Sequence, residues 1–491
     1  MTPTAFQPTP TSGRLLIELL RIAVPLIISS FFFTLQLLID RLMLSWYSPD
    51  ALAAAGAAAM AIYVPIILLQ NTAAFATTFV AQYIGARRPH EVGAILHQAL
   101  IFSLVTGTAF MPLALASDAV VAWIGHESRL QPLESTYLAC LCFAILPMLI
   151  TATATALFAG SGRPGVVIAI SAVGTVVNAV LDYGLIFGHW GLPAWGVFGA
   201  GVATVGGFSA SALLALALLY RPRYVRDYGL GWPRWNGHLF GRLMFFGIPN
   251  GLQGAIDVLA WTSLTLFIGW LGTAELAASM LVFNVNAAFL VPMLGMGQAL
   301  SVLVGQHLGA ERPDLAERSV WLGVIVGVGV VTFMGVTVAC LPGPILALFE
   351  SSEDPASWVA LAQLVPTLLI FVAVYSFFDS LGIMLTFALR GAGDTRFVTL
   401  ATLLLSSCVM VLPVYLVTSR SWSLPAEGLW WAWAFATTYI VSMAVCFLLR
   451  FVWGPWRKMR VIEPAVIESD ADVGDAPEAR SPTLAASSSG L

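Results

Sequence analysis

The second half of the chain repeats the first at an offset of 224 residues: FVAQYIGARRP from Phe79 to Pro89 returns as LVGQHLGAERP from Leu303 to Pro313. Gln82 falls on Gln306, Gly85 on Gly309, Arg88 on Arg312 and Pro89 on Pro313, and the same offset carries Pro25 onto Pro249. Further along the register slips by about seven residues, so that FAGSGRP at Phe158 to Pro164 faces LRGAGDT at Leu389 to Thr395. Two copies of one unit must fold into two similar bodies. In a membrane chain, duplicated halves place a transport site between them.

Composition makes this a membrane chain. Hydrophobic residues make up 59% of it and charged residues only 10%, against about a quarter charged in a soluble domain. Apolar runs of about 20 residues recur, each long enough to cross a bilayer as a helix. About twelve are expected, from roughly 15–46 at one end to 427–453 at the other. Short alternating segments, the mark of a membrane β-barrel, do not occur. The predicted fold is therefore all-α and polytopic, in two pseudo-symmetric six-helix bundles.

Arginine placement sets the expected orientation. With both termini cytoplasmic, the cytoplasmic segments hold Arg87, Arg88, Arg163, Arg221, Arg312, Arg390, Arg457 and others, while the opposite loops hold only Arg129 and Arg420. That is the positive-inside asymmetry. Six helices per repeat give both halves the same orientation, related by an axis along the membrane normal. The expected division is a cytoplasmic segment at 1–14, a first bundle at 15–220, a linker at 221–239, a second bundle at 240–455 and a disordered acidic tail at 456–491. The N-terminal residues lack the pattern of a cleavable signal. The net charge of -4 averages basic loops with that tail and gives no sign of a nucleic-acid partner.

Chemistry-bearing motifs are few. The five cysteines lie in apolar runs without metal-ligand spacing, the six histidines are unpaired, and no phosphate-binding loop or dinucleotide fingerprint occurs. No cofactor, structural metal or enzymatic constellation is expected. What stands out is four carboxylates inside the spans: Asp40, Asp182, Asp257 and Asp379. An ionised carboxylate in a bilayer costs several kcal/mol, so each is a functional candidate. Each also has polar company at helical spacing. Gln36 stands four before Asp40, Asn178 four before Asp182, Gln253 and Asn250 four and seven before Asp257, and Tyr375 four before Asp379. Trp261 lies one turn past Asp257, while Asn284, Met293 and Phe378 are further candidates for a cavity wall. Met293 and Phe378 would give that wall an adaptable apolar surface. A carboxylate alone can also simply hold helices together through hydrogen bonds. Two acids in each half are better explained by a cavity. Taken out of water, a carboxylic acid exchanges protons more readily near neutral pH, and its charged form attracts Na⁺ or an organic cation. Competition between ion and cation for such acids is the logic of an antiporter.

At these residues the sequence resembles the multidrug and toxic compound extrusion (MATE) transporters, most of all the NorM branch. The resemblance spans roughly residues 15–455. It rests on AVPLIIS with Asp40, VAQYIGARRP, NAVLDYGLIFG, GIPNGLQGAID, VGQHLGAERP and FFDSLGIMLTFALRGAGDTR, in that order. It implies a V of two six-helix bundles, exporting amphipathic organic cations against inward H⁺ or Na⁺ as a monomer in the bacterial inner membrane. It further implies coupling-ion binding by Asp40, Asn178, Asp182 and Thr204 in the first half and by Asp257 and Asp379 in the second, either set being able to take Na⁺. Two departures are visible. Asp257 stands where the branch usually has the longer Glu, and Arg41 follows Asp40 where a small polar residue is common. A proton, needing no ligand cage, is the favoured coupling ion. The rival reading is a flippase for lipid-linked saccharides. Its anionic headgroups call for a cationic cavity, whereas here the cations sit in loops and the acids in spans.

Overall fold

The computed structural model describes residues 11–463 apart from 233, 342, 344–354 and 421–424, with the side chains of 355–360 also set aside. Among these residues, twelve helices are long and apolar enough to cross a membrane. In chain order they are α1 Ser12–Tyr47, α2 Pro49–Gly85, α3 Pro89–Ile124, α4 Gln131–Gly160, α5 Pro164–Phe187 and α6 Val197–Leu219. The second half holds α7 Gly237–Gly269, α8 Thr273–Gly309, α9 Pro313–Cys340, α10 Leu361–Ala392, α11 Thr395–Thr418 and α12 Pro425–Trp453. Each lies within a few residues of its expected run, because continuous apolar sequence can satisfy its backbone in lipid only as helix.

Several chain signals fix the ends. Pro89, Pro164 and Pro313 stand at first helical positions, where the missing N–H costs nothing. Pro25, Pro65, Pro249 and Pro292 lie inside helices that continue through them. The interruptions fall elsewhere, at Phe75 within α2, in a 3-10 stretch, Met111–Ala116, within α3 and in a π-helical stretch, Ser406–Val411, within α11.

The halves are built alike. In the first, α4 packs against α2, α3 and α6, and α5 lies between α1 and α6; in the second, α10 packs against α8, α9 and α12, and α7 lies against α11. Between halves, α1 runs along α8 and α2 along α7. The result is a V-shaped pair of six-helix bundles.

The repeated motif makes the junction. At its turn the chain passes through the left-handed region at Arg87 and Glu311, both with φ of 59°. Arg88 N–H then reaches back to the Tyr83 carbonyl at 2.9 Å and Arg312 N–H to that of His307 at 2.8 Å, closing each helix end. Gly85 and Gly309 let the halves meet: a Cβ on Gly85 would lie 1.9 Å from the Gln306 carbonyl oxygen, and one on Gly309 2.1 Å from that of Gln82. The two glutamines bond reciprocally across the gap. Gln82 Nε2 donates to the Gly391 carbonyl at 3.1 Å, and Gln306 Nε2 to that of Gly160 at 2.8 Å. Gly160 and Gly391 are themselves partners in the second repeated motif. The arginine-rich end is thus sealed by one contact made twice. Toward the other end of the same helices, large side chains such as Met60, Tyr63 and Leu259 are exposed.

The expected tail requires a correction. Residues 456–463 are ordered: Pro455–Lys458 forms a 3-10 turn, and Trp456, Val461 and Ile462 are buried. Their apolar side chains enter a groove in the protein. The remainder, 464–491, lies outside the described residues. The linker carries a short helix, Pro222–Tyr228, with Tyr228 and Leu230 buried. Of the cysteines, Cys140 and Cys142 are buried, whereas Cys340 and Cys408 are exposed.

Candidate functional site

Asp40, Asn178 and Asp182 are all buried, on α1 and α5, which pack side by side. Small residues bring α6 close to this pair: a Cβ on Gly207 would lie 2.7 Å from that of Asn178. Thr204, one turn before Gly207, is buried within hydrogen-bonding reach of the Tyr137 hydroxyl. Tyr137 on α4 in turn donates to Asp40 Oδ2 at 3.0 Å. Asp182 lies within Coulombic reach of Asp40. The four residues expected here therefore come together, with Tyr137 as a fifth member.

The bonding in this cluster is incomplete. Asp40 Oδ1, both oxygens of Asp182 and both amide atoms of Asn178 are buried without a hydrogen-bond partner among the described residues. A typical hydrogen bond returns about 1 kcal/mol net, and an unpaired buried polar group costs about 1–3 kcal/mol. One tyrosine bond does not offset five such atoms. The donor set, carboxylate oxygens with an amide and a hydroxyl, suits a hard cation or a shared proton.

The second-half pair is arranged differently. Asp257 on α7 accepts from Gln253 one turn before it, and from the Tyr439 hydroxyl of α12 at 3.1 Å. Asp379 on α10 and Arg390, also on α10, lie within Coulombic reach of Asp257. Asp257 and Asp379 are only partly buried. Arg390, expected in a cytoplasmic segment, lies on the helix itself. It occupies the last turns of α10 with its guanidinium 4.9 Å from the Phe387 ring centroid, because the helix runs on beyond it to Ala392.

The other expected residues divide. Gln36 is buried one turn before Asp40. Trp261 is half-buried, edge-on to Phe283 at 5.9 Å, and Phe283 stacks on Trp433. Tyr375 is fully buried against Trp433 with its hydroxyl unpartnered in the protein. Phe378 is half-buried against Phe377, and Asn284 is exposed, its amide bonded to Met280 of its own helix. Two further residues expected in the cavity wall are buried. Met293 belongs to a buried cluster that also includes α1 residues such as Leu19 and Leu26. Asn250 donates to the Asn71 carbonyl at 2.8 Å, spending its amide on the α2–α7 junction. Sequence reasoning misses Tyr137, Tyr439 and the inward position of Arg390. A hydroxyl-bearing aromatic within an apolar run is the available signal for the two tyrosines.

A family model described as MatE matches residues 25–184 and again 249–416, two segments whose starts stand at the repeat offset, Pro25 and Pro249. The chain belongs to the MATE family. Its curated relatives include the multidrug resistance protein NorM of Burkholderia vietnamiensis, 30% identical over 456 residues, covering 92% of this chain and 96% of that one. Among solved structures, the outward-facing conformation of a multidrug resistance MATE family transporter of the MOP superfamily matches with a TM-score of 0.78 at 20% identity, covering 92% of this chain and 98% of that one. A MOP superfamily transporter from Pyrococcus furiosus, described by the reverse polarity of its binding pocket, matches with a TM-score of 0.79 at 19% identity and the same coverage. As a MATE protein the chain is a multi-pass membrane transporter and not an enzyme.

Proposed function

We propose that the protein exports amphipathic organic cations in exchange for H⁺ or Na⁺ by alternating access. The observation that carries this reading is the set of five buried, unpartnered polar atoms on Asp40, Asn178 and Asp182. Such a cluster is stabilised by taking up a proton or small cation. Asp257 and Asp379, partly exposed, are better suited to meet an organic cation, with Trp261 and Phe378 offering aromatic faces beside them. Ion uptake in the first half and cation release from the second are then coupled through the bundle junction. A ligand shifts such an equilibrium only by its differential affinity for the two states. The arginine-rich end is taken as cytoplasmic, in a bacterial inner membrane, with the monomer as the working unit.

The test is reconstitution in liposomes loaded with a fluorescent organic cation, with a pH gradient or a Na⁺ gradient imposed separately. Dye movement under one gradient alone supports antiport and names the ion. Movement under neither contradicts the proposal and turns attention to lipid-linked substrates.

A further inference from the structure

The ordered segment beyond α12 does something the repeat does not foreshadow. Its root is fixed to the second half: Trp456 stacks on Phe451 at 4.6 Å, and Arg457 pairs with Glu317 at 2.8 Å. From there residues 459–463 cross the junction between the halves. The Val461 N–H donates to Gln82 Oε1 of α2 at 2.8 Å, while the Val461 carbonyl accepts from the Arg242 guanidinium of α7. The Glu463 carbonyl accepts from Arg88, just past α2, at 2.7 Å, while its carboxylate lies 2.8 Å from His238 of α7. Each of these two residues therefore touches one half with one group and the other half with another.

The side chains deepen the clamp. Val461 is fully buried and Ile462 nearly so, in a cluster that includes Phe79 and Tyr83 of α2 and Leu243 of α7. Val461 also sits against Gly393, whose φ of 95° and lack of a Cβ make the space. Gln82 thereby has both ends of its amide engaged, by the Gly391 carbonyl and the Val461 N–H. In this structure α2 and α7 cannot separate at the arginine-rich end without breaking one side of the Val461 clamp.

We infer that residues 459–463 are a strap that holds the arginine-rich end closed and must detach from the first half before that end opens. The inference rests on the alternating-access reading above. Because the root is anchored on the second half, opening frees the strap from Gln82 and Arg88.

The experiment places spin labels at His90→Cys and Asp314→Cys, one in each half, with the five native cysteines replaced, and reads distances across the end by pulsed electron paramagnetic resonance. Chains ending after Lys458 are compared with chains ending after Glu463, which keep the strap. Loss of about two hydrogen bonds and a buried valine should raise the open-to-closed ratio about tenfold or more in the shorter chain only. The full-length Arg88→Gln variant, which removes the first half's hold on the Glu463 carbonyl, should shift it severalfold in the same direction and decides the matter should the shorter chain not fold. Equal populations in the two truncated chains, or in Arg88→Gln and the intact protein, would overturn the strap. A single distance in the intact protein under every ion gradient would instead remove the alternating-access reading, and the strap with it.

Discussion

The two halves share a scaffold but not a site. Their junction is the same contact made twice, Gln82 to Gly391 and Gln306 to Gly160, with Gly85 and Gly309 admitting the opposite backbone. Their acids, by contrast, stand at non-equivalent positions. At the repeat offset Asp40 falls on Leu264 and Asp257 on Phe33. The environments differ as well. Asp40 and Asp182 are buried with most of their oxygens unpartnered in the protein, whereas Asp257 is held by Gln253 and Tyr439 near Arg390 and stays partly exposed. The repeat supplies a junction of two like contacts. On the proposed reading the chemistry differs between the halves, with a small-ion cluster in the first and an acid pair that meets a larger cation in the second.

The contrast can be broken experimentally. The largest effect is expected from Asp182→Asn, which removes the charge that a coupling ion would balance. Gradient-driven dye movement should fall to the passive leak, while exchange of dye for dye persists. Next come Gly85→Leu and Gly309→Leu. Overpacking costs about 1–3 kcal/mol, so each should lower transport on the order of tenfold or more through a closed end that no longer seats, measured as turnover in liposomes. A Gly85 effect without a Gly309 effect would deny that the two contacts are equivalent.

Smaller effects sharpen the comparison. Asp257→Asn and Asp379→Asn should each reduce efflux without preventing membrane insertion, mainly by raising the dye concentration needed for half-maximal transport. Normal efflux by both would remove the second-half assignment. The mildest change is expected from Tyr137→Phe, which deletes one hydrogen bond to Asp40. About 1.5–3 kcal/mol for a bond to a charged group sets the upper limit, and a shift of roughly tenfold in the half-saturating ion concentration is expected.

Much of this architecture is legible in the chain because lipid leaves few choices. The apolar runs become helices, and the repeated GARRP and GAERP turns adopt the same left-handed residue, Arg87 and Glu311. Helical spacing alone groups Asp182 with Asn178 and Asp40 with Gln36. What escapes a reading of the chain is contact between distant segments. Tyr137 meets Asp40 across 97 residues and Tyr439 meets Asp257 across 182, and no periodicity records such pairs. Residues 456–463 read as tail because so short a stretch shows no pattern, and their order comes from a groove that exists only once the halves have met.

The measurement that bears most directly on the division of labour compares Asp182→Asn with Asp257→Asn in the same liposomes, under the gradient that drives the intact protein. The account predicts that Asp182→Asn loses the response to the gradient but still exchanges dye, while Asp257→Asn keeps the response with weakened dye affinity. The reverse pattern, with the gradient response lost in Asp257→Asn and kept in Asp182→Asn, would contradict it.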